Sequence, residues 1–353
     1  MANINVELVQ VARHLRKMSQ TELAKRAGIT QGYISKIEQG IKQPDDTNVE
    51  KLAEALKLPT SFFYQQDRIY GLPVSVHPMF RKKTKVGVKT LDSIQAELNL
   101  RIMHLRRLIK AVELEAELPL PDFDIDEYQG DTEEIASLLR RTWLIPRGPI
   151  KNLTEYAEKA GVLVIDNEFE GSDIDGVTLV VPGLPPCIFL NPGRPADRRR
   201  FTLAHELGHL LMHRVPTPTM EDEANAFASA LLMPATDIAP QLKDVTFAKL
   251  ASLKRIWRVS MAALLMRAKA LGKISSNQSS YLWRQMAPYR RKEPEQLDFP
   301  AEMPAVFPEL IRLHIEELGY SISELATLLH LTVDDITQFY RLRDRGHLTL
   351  VKQ

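Results

Sequence analysis

Five residues, His205-Glu206-Leu207-Gly208-His209, hold the spacing with the most definite chemistry in this chain. Their flanks, Phe201-Thr202-Leu203-Ala204 and Leu210-Leu211-Met212-His213, read with them as one helix. Two histidines four apart on a helix lie one turn apart on the same face, so both imidazoles can reach one Zn²⁺. Glu206 sits about 100° further round, where it can take a proton from a water at the metal without binding the metal. A catalytic zinc keeps one position open for that water and lowers its pKa towards about 7. Against this stands a chance pattern of three fixed residues. The apolar setting of Phe201, Leu203, Leu207, Leu210 and Leu211 favours the metal, because two unligated histidines are costly to bury.

The third ligand must come from elsewhere, and His213, Glu221 and Glu223 are the candidates. His213 lies two turns beyond His205, and at about 5.4 Å per turn a straight helix carries it past the metal. Glu221 opens a second helix running to Met233 and shares an apolar stripe with Ala224, Asn225, Ala228, Leu231 and Leu232. Glu223 is about 200° away from it. A glutamate on a buried face needs a partner, so Glu221 is the expected ligand. Asn225 and His213 are expected to hydrogen-bond behind the ligands, and one Zn²⁺ is expected per chain.

The frame that positions these groups is larger than one domain. The chain has 353 residues, 44% hydrophobic and 26% charged, with a formal net charge of +1. Those values describe a globular protein of two to four domains, with no overall charge pointing to nucleic acid or membrane. No apolar run reaches the roughly 18 residues of a membrane span, and the N-terminus has no basic region followed by an apolar core. The single cysteine, Cys187, excludes an internal disulfide, and its apolar neighbours suit a buried hydrophobe rather than a nucleophile. A cytoplasmic protein is expected.

The neutral total hides a basic front. The first 116 residues carry 19 Lys and Arg against 12 Asp and Glu, an excess of seven positive charges. Residues 1–66 read as a domain of five short helices. Ser19 with Glu22 forms a capping box, Gly28 supplies a tight turn, and Thr30 caps a third helix with Ile34 and Ile37 inward. Ser19-Gln20-Thr21-Glu22-Leu23-Ala24, Ala27-Gly28-Ile29-Thr30 and Ile34-Ser35-Lys36-Ile37-Glu38-Gln39-Gly40 resemble the Xre/Cro-type helix-turn-helix domains over residues 7–64. The resemblance implies a double-stranded DNA operator as partner, with Gln31 and Tyr33 at base edges. Gln20 and Ser35 would then meet phosphates, with Lys36 at either. A unit that mediates only protein contacts is the alternative.

Residues 67–130 read as a connector. It opens with the basic run Arg81-Lys82-Lys83-Thr84-Lys85. A long helix over 89–115 follows, whose Leu98, Ile102, Leu105, Ile109 and Val112 alternate at four and three. That heptad seam suits a homodimer, or packing against the chain's own next domain. Glu117 to Glu134 then carries eight acids and no Lys or Arg, an acidic linker read as a solvated hinge. Residues 131–240 form the metal domain, two helices and three short strands before the zinc helix, with a sheet edge that could take an extended substrate. Residues 241–353 read as a helical C-terminal domain. There Thr246/Leu250/Ile256/Met261 and Ser321/Leu325/Leu331/Ile336 repeat the offsets of Ser19/Leu23/Ile29/Ile34. Asp334 and Asp335 argue against phosphate contact in the last of these units. Residues 272–280 and 292–308 read as loops. The fold class is mainly α, with a small zincin-like α+β metal domain.

Arg199 to His209, then Glu221-Asp222-Glu223-Ala224-Asn225-Ala226-Phe227-Ala228 and Leu231-Leu232-Met233-Pro234, look like the ImmA/IrrE family of zinc metallopeptidases. The similarity extends upstream through Trp143-Leu144-Ile145-Pro146-Arg147-Gly148-Pro149-Ile150 and covers about residues 135–240. It implies His205, His209 and Glu221 as ligands and Glu206 as catalytic base. It also implies cleavage of a repressor protein, itself of helix-turn-helix type. Three functions stay open: a DNA-binding regulator fused to a zinc endopeptidase; a regulator whose zinc is only structural or sensory; and a peptidase that cuts its own connector, releasing residues 1 to about 116.

Overall fold

A computed structural model describes residues 3–71, 87–289 and 293–340. The basic run at 81–85 lies outside them. Helices α1 to α4 span Glu7–Leu15, Gln20–Ala27, Gln31–Glu38 and Asp46–Leu56, and a 3-10 turn covers Thr60–Tyr64. Helix α5 (Val88–Leu108), α6 (Thr132–Thr142) and α7 (Leu153–Lys159) follow. Strands β1 (Leu163–Asp166), β2 (Gly176–Leu179) and β3 (Cys187–Leu190) lead into α8 (Ala196–Met212). Then come α9 (Met220–Leu232), α10 (Ala235–Ile238), α11 (Phe247–Trp257), α12 (Met261–Ala270) and α13 (Ser276–Met286). The last helices are α14 (Val306–Glu316), α15 (Ile322–Leu328) and α16 (Val333–Tyr340). The chain is mainly α-helical with one small α+β region, as the sequence predicts.

It divides into two compact units. The first gathers the described residues of Met1–Gly71, Lys85–Glu113 and Pro308–Gln353. The local signals for its first helices are all realised. The Ser19–Glu22 capping box closes in both directions, Thr30 accepts from Tyr33 N–H, and Asp45 accepts from Asn48 N–H. Gly28 takes φ +63°, the left-handed conformation that a side chain would resist. Leu8, Leu23, Ile34, Ile37, Leu52 and Phe62 form the core. The fifth helix is a 3-10 turn rather than an α-helix.

Two sequence expectations change in this unit. Leu98, Ile102 and Leu105, assigned to a dimer seam, are buried within the chain itself. Helix α5 packs on α1 and places Ala96, Leu100 and Met103 in the unit's core. The packing runs to a preceding helix and not to the chain's next domain, which was the alternative reading. Residues 308–340 also belong to this unit rather than to a separate C-terminal domain over 241–353. Leu331 enters its core, and Arg16 holds Asp335 through both carboxylate oxygens at 2.7 and 2.8 Å while also donating to the Leu56 and Lys57 carbonyls. Asp335 is thus committed to an internal ion pair, in keeping with the reading that α16 does not contact phosphate.

The second unit holds the described residues of Leu114–Phe307. Its sheet runs β1-β3-β2, with β1 parallel and β2 antiparallel to β3, so β2 is an edge strand. Helix α8 lies on β2 and β3, and α9 packs between α8 and α6. Residues 241–289 share this core through Leu250, Trp257, Leu264 and Leu282. The stretch read as a loop over 272–280 becomes helical from Ser276, because Ser275 accepts from Gln278 N–H and starts α13. The acidic stretch is not a solvated hinge. Phe123 is buried and donates its N–H to Leu211 O, Trp143 donates to Pro119 O, and Asp131 caps α6. Its few apolar residues and backbone groups bind it to the unit, and Glu133 turns inward to Arg267 while most of its other acids are exposed. No described helix is long and apolar enough to cross a membrane.

Candidate metal centre

Helix α8 is fixed along its length before any metal chemistry begins. Leu203, Leu207 and Leu211 are buried in the core. The run Arg198-Arg199-Arg200 works as three anchors. Arg198 pairs with Asp175 at 2.7 Å, Arg199 with Asp166 at 2.5 Å, and Arg200 with Glu302 and the Ile150 carbonyl. Asp197 at the helix start pairs with the buried Lys254, which also meets Glu293 at 2.9 Å. Gly208 lets α9 approach. A Cβ at that position would lie 3.0 Å from Phe227 Cδ1 and 3.3 Å from Ala224 Cα.

That close crossing brings Glu221 of α9 to the two histidines of α8. His205 Nε2 and His209 Nε2 are 2.9 Å apart. Glu221 carboxylate oxygens lie 3.3 Å from His209 Nε2 and 3.6 Å from His205 Nε2. Among the described residues these three side chains are the group whose donor atoms converge enough to hold a metal ion. A tetrahedral zinc with bonds near 2.0–2.1 Å sets its ligand atoms about 3.4 Å apart, and the three separations bracket that value. Glu221 Oε1 is buried and has no hydrogen-bond partner, a costly state that a cation would relieve. The donor set therefore fits zinc.

The atoms behind the donors are paired in one consistent pattern. His205 Nδ1 lies 3.1 Å from Asn225 Oδ1. His209 Nδ1 lies 3.0 Å from His213 Nδ1, and His213 Nε2 lies 3.0 Å from Glu223 Oε2. One tautomer choice satisfies the set: His205 and His209 donate from Nδ1 and leave Nε2 free for a metal, while His213 donates from Nε2 to Glu223. His213 stands behind His209 rather than among the converging donors, and Glu223, considered as a ligand from sequence, pairs with His213. Glu221 is only partly buried, less enclosed than the apolar stripe implied.

Electrostatics follow the same grouping. Burial disfavours the Glu221 carboxylate, yet the nearness of His205 and His209 pulls its pKa down to about 2. Burial also works against charged His205, but Glu221, Glu206 and Asn225 outweigh it and raise its pKa. Burial and then His209 lower that of His213. Glu206 is 2% exposed, and its Oε2 accepts a hydrogen bond from Thr178 Oγ1 of β2 at 2.6 Å. Thr178 had no sequence signal, since it lies 28 residues upstream on an edge strand. Cys187 is buried with its thiol pushed up to about 12, which suits a hydrophobe and not a nucleophile.

The first unit carries the residues considered for DNA. Gln31 and Lys36 are exposed on α3, with Gln20, Tyr33 and Ser35 half-exposed nearby. Gln31 Nε2 donates to Gln20 Oε1 at 2.7 Å, Gln20 Nε2 donates to Glu38 at 2.8 Å, and Lys42 lies over the Tyr33 ring. The amide pair is thereby held at the junction of α2 and α3.

Comparison with known proteins gives the same two parts. Residues 10–63 match the helix-turn-helix family, and residues 157–269 match the IrrE N-terminal-like domain of peptidase family M78. Over 105 residues the chain is 31% identical to y4dL, an uncharacterized HTH-type transcriptional regulator of Sinorhizobium fredii (strain NBRC 101917 / NGR234). That match takes in 30% of this chain and 45% of the relative, so the chain spans less than half of the relative's length. One stretch of the chain is thus similar to helix-turn-helix domains and another to the IrrE N-terminal-like domain of peptidase family M78.

Proposed function

We propose that the chain is a DNA-binding transcriptional regulator whose second unit is a zinc endopeptidase acting on a regulatory protein, a repressor in the first instance. One observation carries the reading. A buried glutamate, held by Thr178, stands beside three converging donors, one of which has an orphaned oxygen. When bound there, zinc supplies a Lewis acid and an activated water. Glu206 receives the proton of the attacking water and returns it to the leaving amine. Thr178 occupies Oε2 of that carboxylate, leaving Oε1 for the proton. Asn225, and His213 with Glu223, keep both imidazoles turned towards the metal. Strand β2 borders the site and pairs on one side with β3, so its outer edge suits an extended substrate backbone.

The test is metal content and cleavage of repressors encoded nearby, wild type against Glu206→Gln. The variant is expected to keep one zinc and lose cleavage. Equal cleavage by both proteins, or a zinc-loaded wild type that cuts no candidate, removes the peptidase and leaves a metal with a structural or sensory role. For the first unit, affinity for selected double-stranded DNA should fall steeply with salt, and Lys36→Ala should reduce the salt slope by about one.

A further inference from the structure

Beside the metal centre the second unit holds a cavity of about 1140 Å³. It exceeds the roughly 300–1,000 Å³ of a small-molecule pocket and has room for a segment of several residues. None of the three donor residues lines it, but it reaches their neighbours on two helices. Phe201 lies one turn before His205 on α8, and Asn225, which bonds His205, lies one turn after Glu221 on α9. Phe201, Ala263, Met266, Trp283, Met286 and Tyr289 form its apolar surface, with Met266 64% and Tyr289 37% exposed. The cations around it are already matched: Arg194 and Arg198 by Asp175, Lys254 by Asp197 and Glu293, and Arg267 by Glu133. Four cations face five acids in the lining, Asp222 and Asp298 included, so no cation is left for an anionic ligand and apolar contact is what the cavity offers. Trp283, Met286 and Tyr289 lie beyond residue 269, where the match to the peptidase family ends.

We propose that this cavity is the specificity groove of the site. It takes large apolar side chains, of the Leu, Met or Phe class, from an extended peptide whose scissile bond lies at the metal. The assignment rests on the peptidase reading for its chemistry, but its test reads binding alone. Full-length, zinc-loaded Glu206→Gln protein is titrated into fluorescein-labelled decapeptides of Ala, Ser and Gln carrying a central Leu-Phe, Gln-Gln, Lys-Lys or Glu-Glu pair. Anisotropy should show the Leu-Phe peptide binding at least about tenfold tighter than the others. Met266→Glu should remove that preference with zinc content unchanged, and Met266→Leu should restore it. Equal affinity for all four peptides, or an unaffected Met266→Glu protein, overturns the groove. So does binding of 1-anilinonaphthalene-8-sulfonate but of no peptide, which would make it a small-molecule pocket. Selective binding without cleavage of the same peptide by wild-type protein keeps the groove and rejects the hydrolase.

Discussion

Gly208 is a position where α9 approaches α8 too closely for a side chain, and replacing it should separate metal affinity from folding. In Gly208→Ala the new methyl meets Phe227 Cδ1 at 3.0 Å and Ala224 Cα at 3.3 Å. Carbon atoms pack best at roughly 3.5–4.0 Å, so the shortfall is about 0.5 Å against the ring and about 0.2 Å or more against the backbone. The ring can turn aside, but relief at Ala224 needs α9 itself to move, and Glu221 is one turn away on that helix. Overpacking costs roughly 1–3 kcal/mol, and the better helix propensity of Ala returns about 1 kcal/mol. The net loss of stability is about 0–2 kcal/mol, and the protein stays folded. Metal distances tolerate only about ±0.2 Å, so zinc affinity should weaken by about tenfold in Gly208→Ala and by more in Gly208→Val. Thermal melts with and without zinc, together with chelator competition, separate the two quantities. A folded Gly208→Val protein that holds zinc as tightly as wild type would refute the claim that this crossing sets the ligand geometry.

Three further outcomes follow from contacts in the two units. His213→Ala or Glu223→Gln should weaken zinc binding by roughly 10- to 100-fold, because His209 loses the partner that fixes its tautomer; unchanged competition with a chelator would contradict this. Thr178→Val should leave zinc content intact and slow cleavage by roughly 10- to 100-fold, the range for a lost hydrogen bond to a charged group. In the first unit His104 is wholly buried, with Tyr340 Oη at 2.5 Å, and burial followed by Arg101, Arg107 and His330 holds its pKa well below 6.5. The unfolded chain therefore takes up a proton below pH 6.5 that the folded unit refuses. Stability should fall as pH drops below 6.5, by at most about 1.4 kcal/mol per pH unit per group. Burial lowers His14 and His330 in the same sense. Urea melts at pH 7.5 and 5.5 should show a smaller acid loss in His104→Leu than in wild type.

What could be read in advance depended on how local the determinant was. The Ser19–Glu22 capping box, the left-handed Gly28 and the pairing of His205 with His209 are settled within a few residues, and the sequence displays them. Helical periodicity set Glu221 apart from Glu223 and put it towards the two histidines, although both are only partly buried. Thr178 was not found, because nothing in a short strand announces that its hydroxyl will meet a carboxylate on a helix. The acidic stretch misled for a related reason. Its charge is visible in composition, but Phe123 and the Pro119 carbonyl, which tie it down, act through distant partners. The heptad spacing of α5 was real, yet a periodic apolar face does not say whether its partner is another copy or the same chain.

The return of residues 308–340 bears on autoproteolysis. A single nick between the units, near residue 114, would produce two fragments but no free DNA-binding head. The amino-terminal piece would stay clamped to the carboxy-terminal one through Leu331 and the Arg16–Asp335 pair. Release would require a second cut near residue 307 or the loss of that clamp, so electrophoresis under denaturing conditions and gel filtration under native ones would give opposite answers about the same cleaved protein.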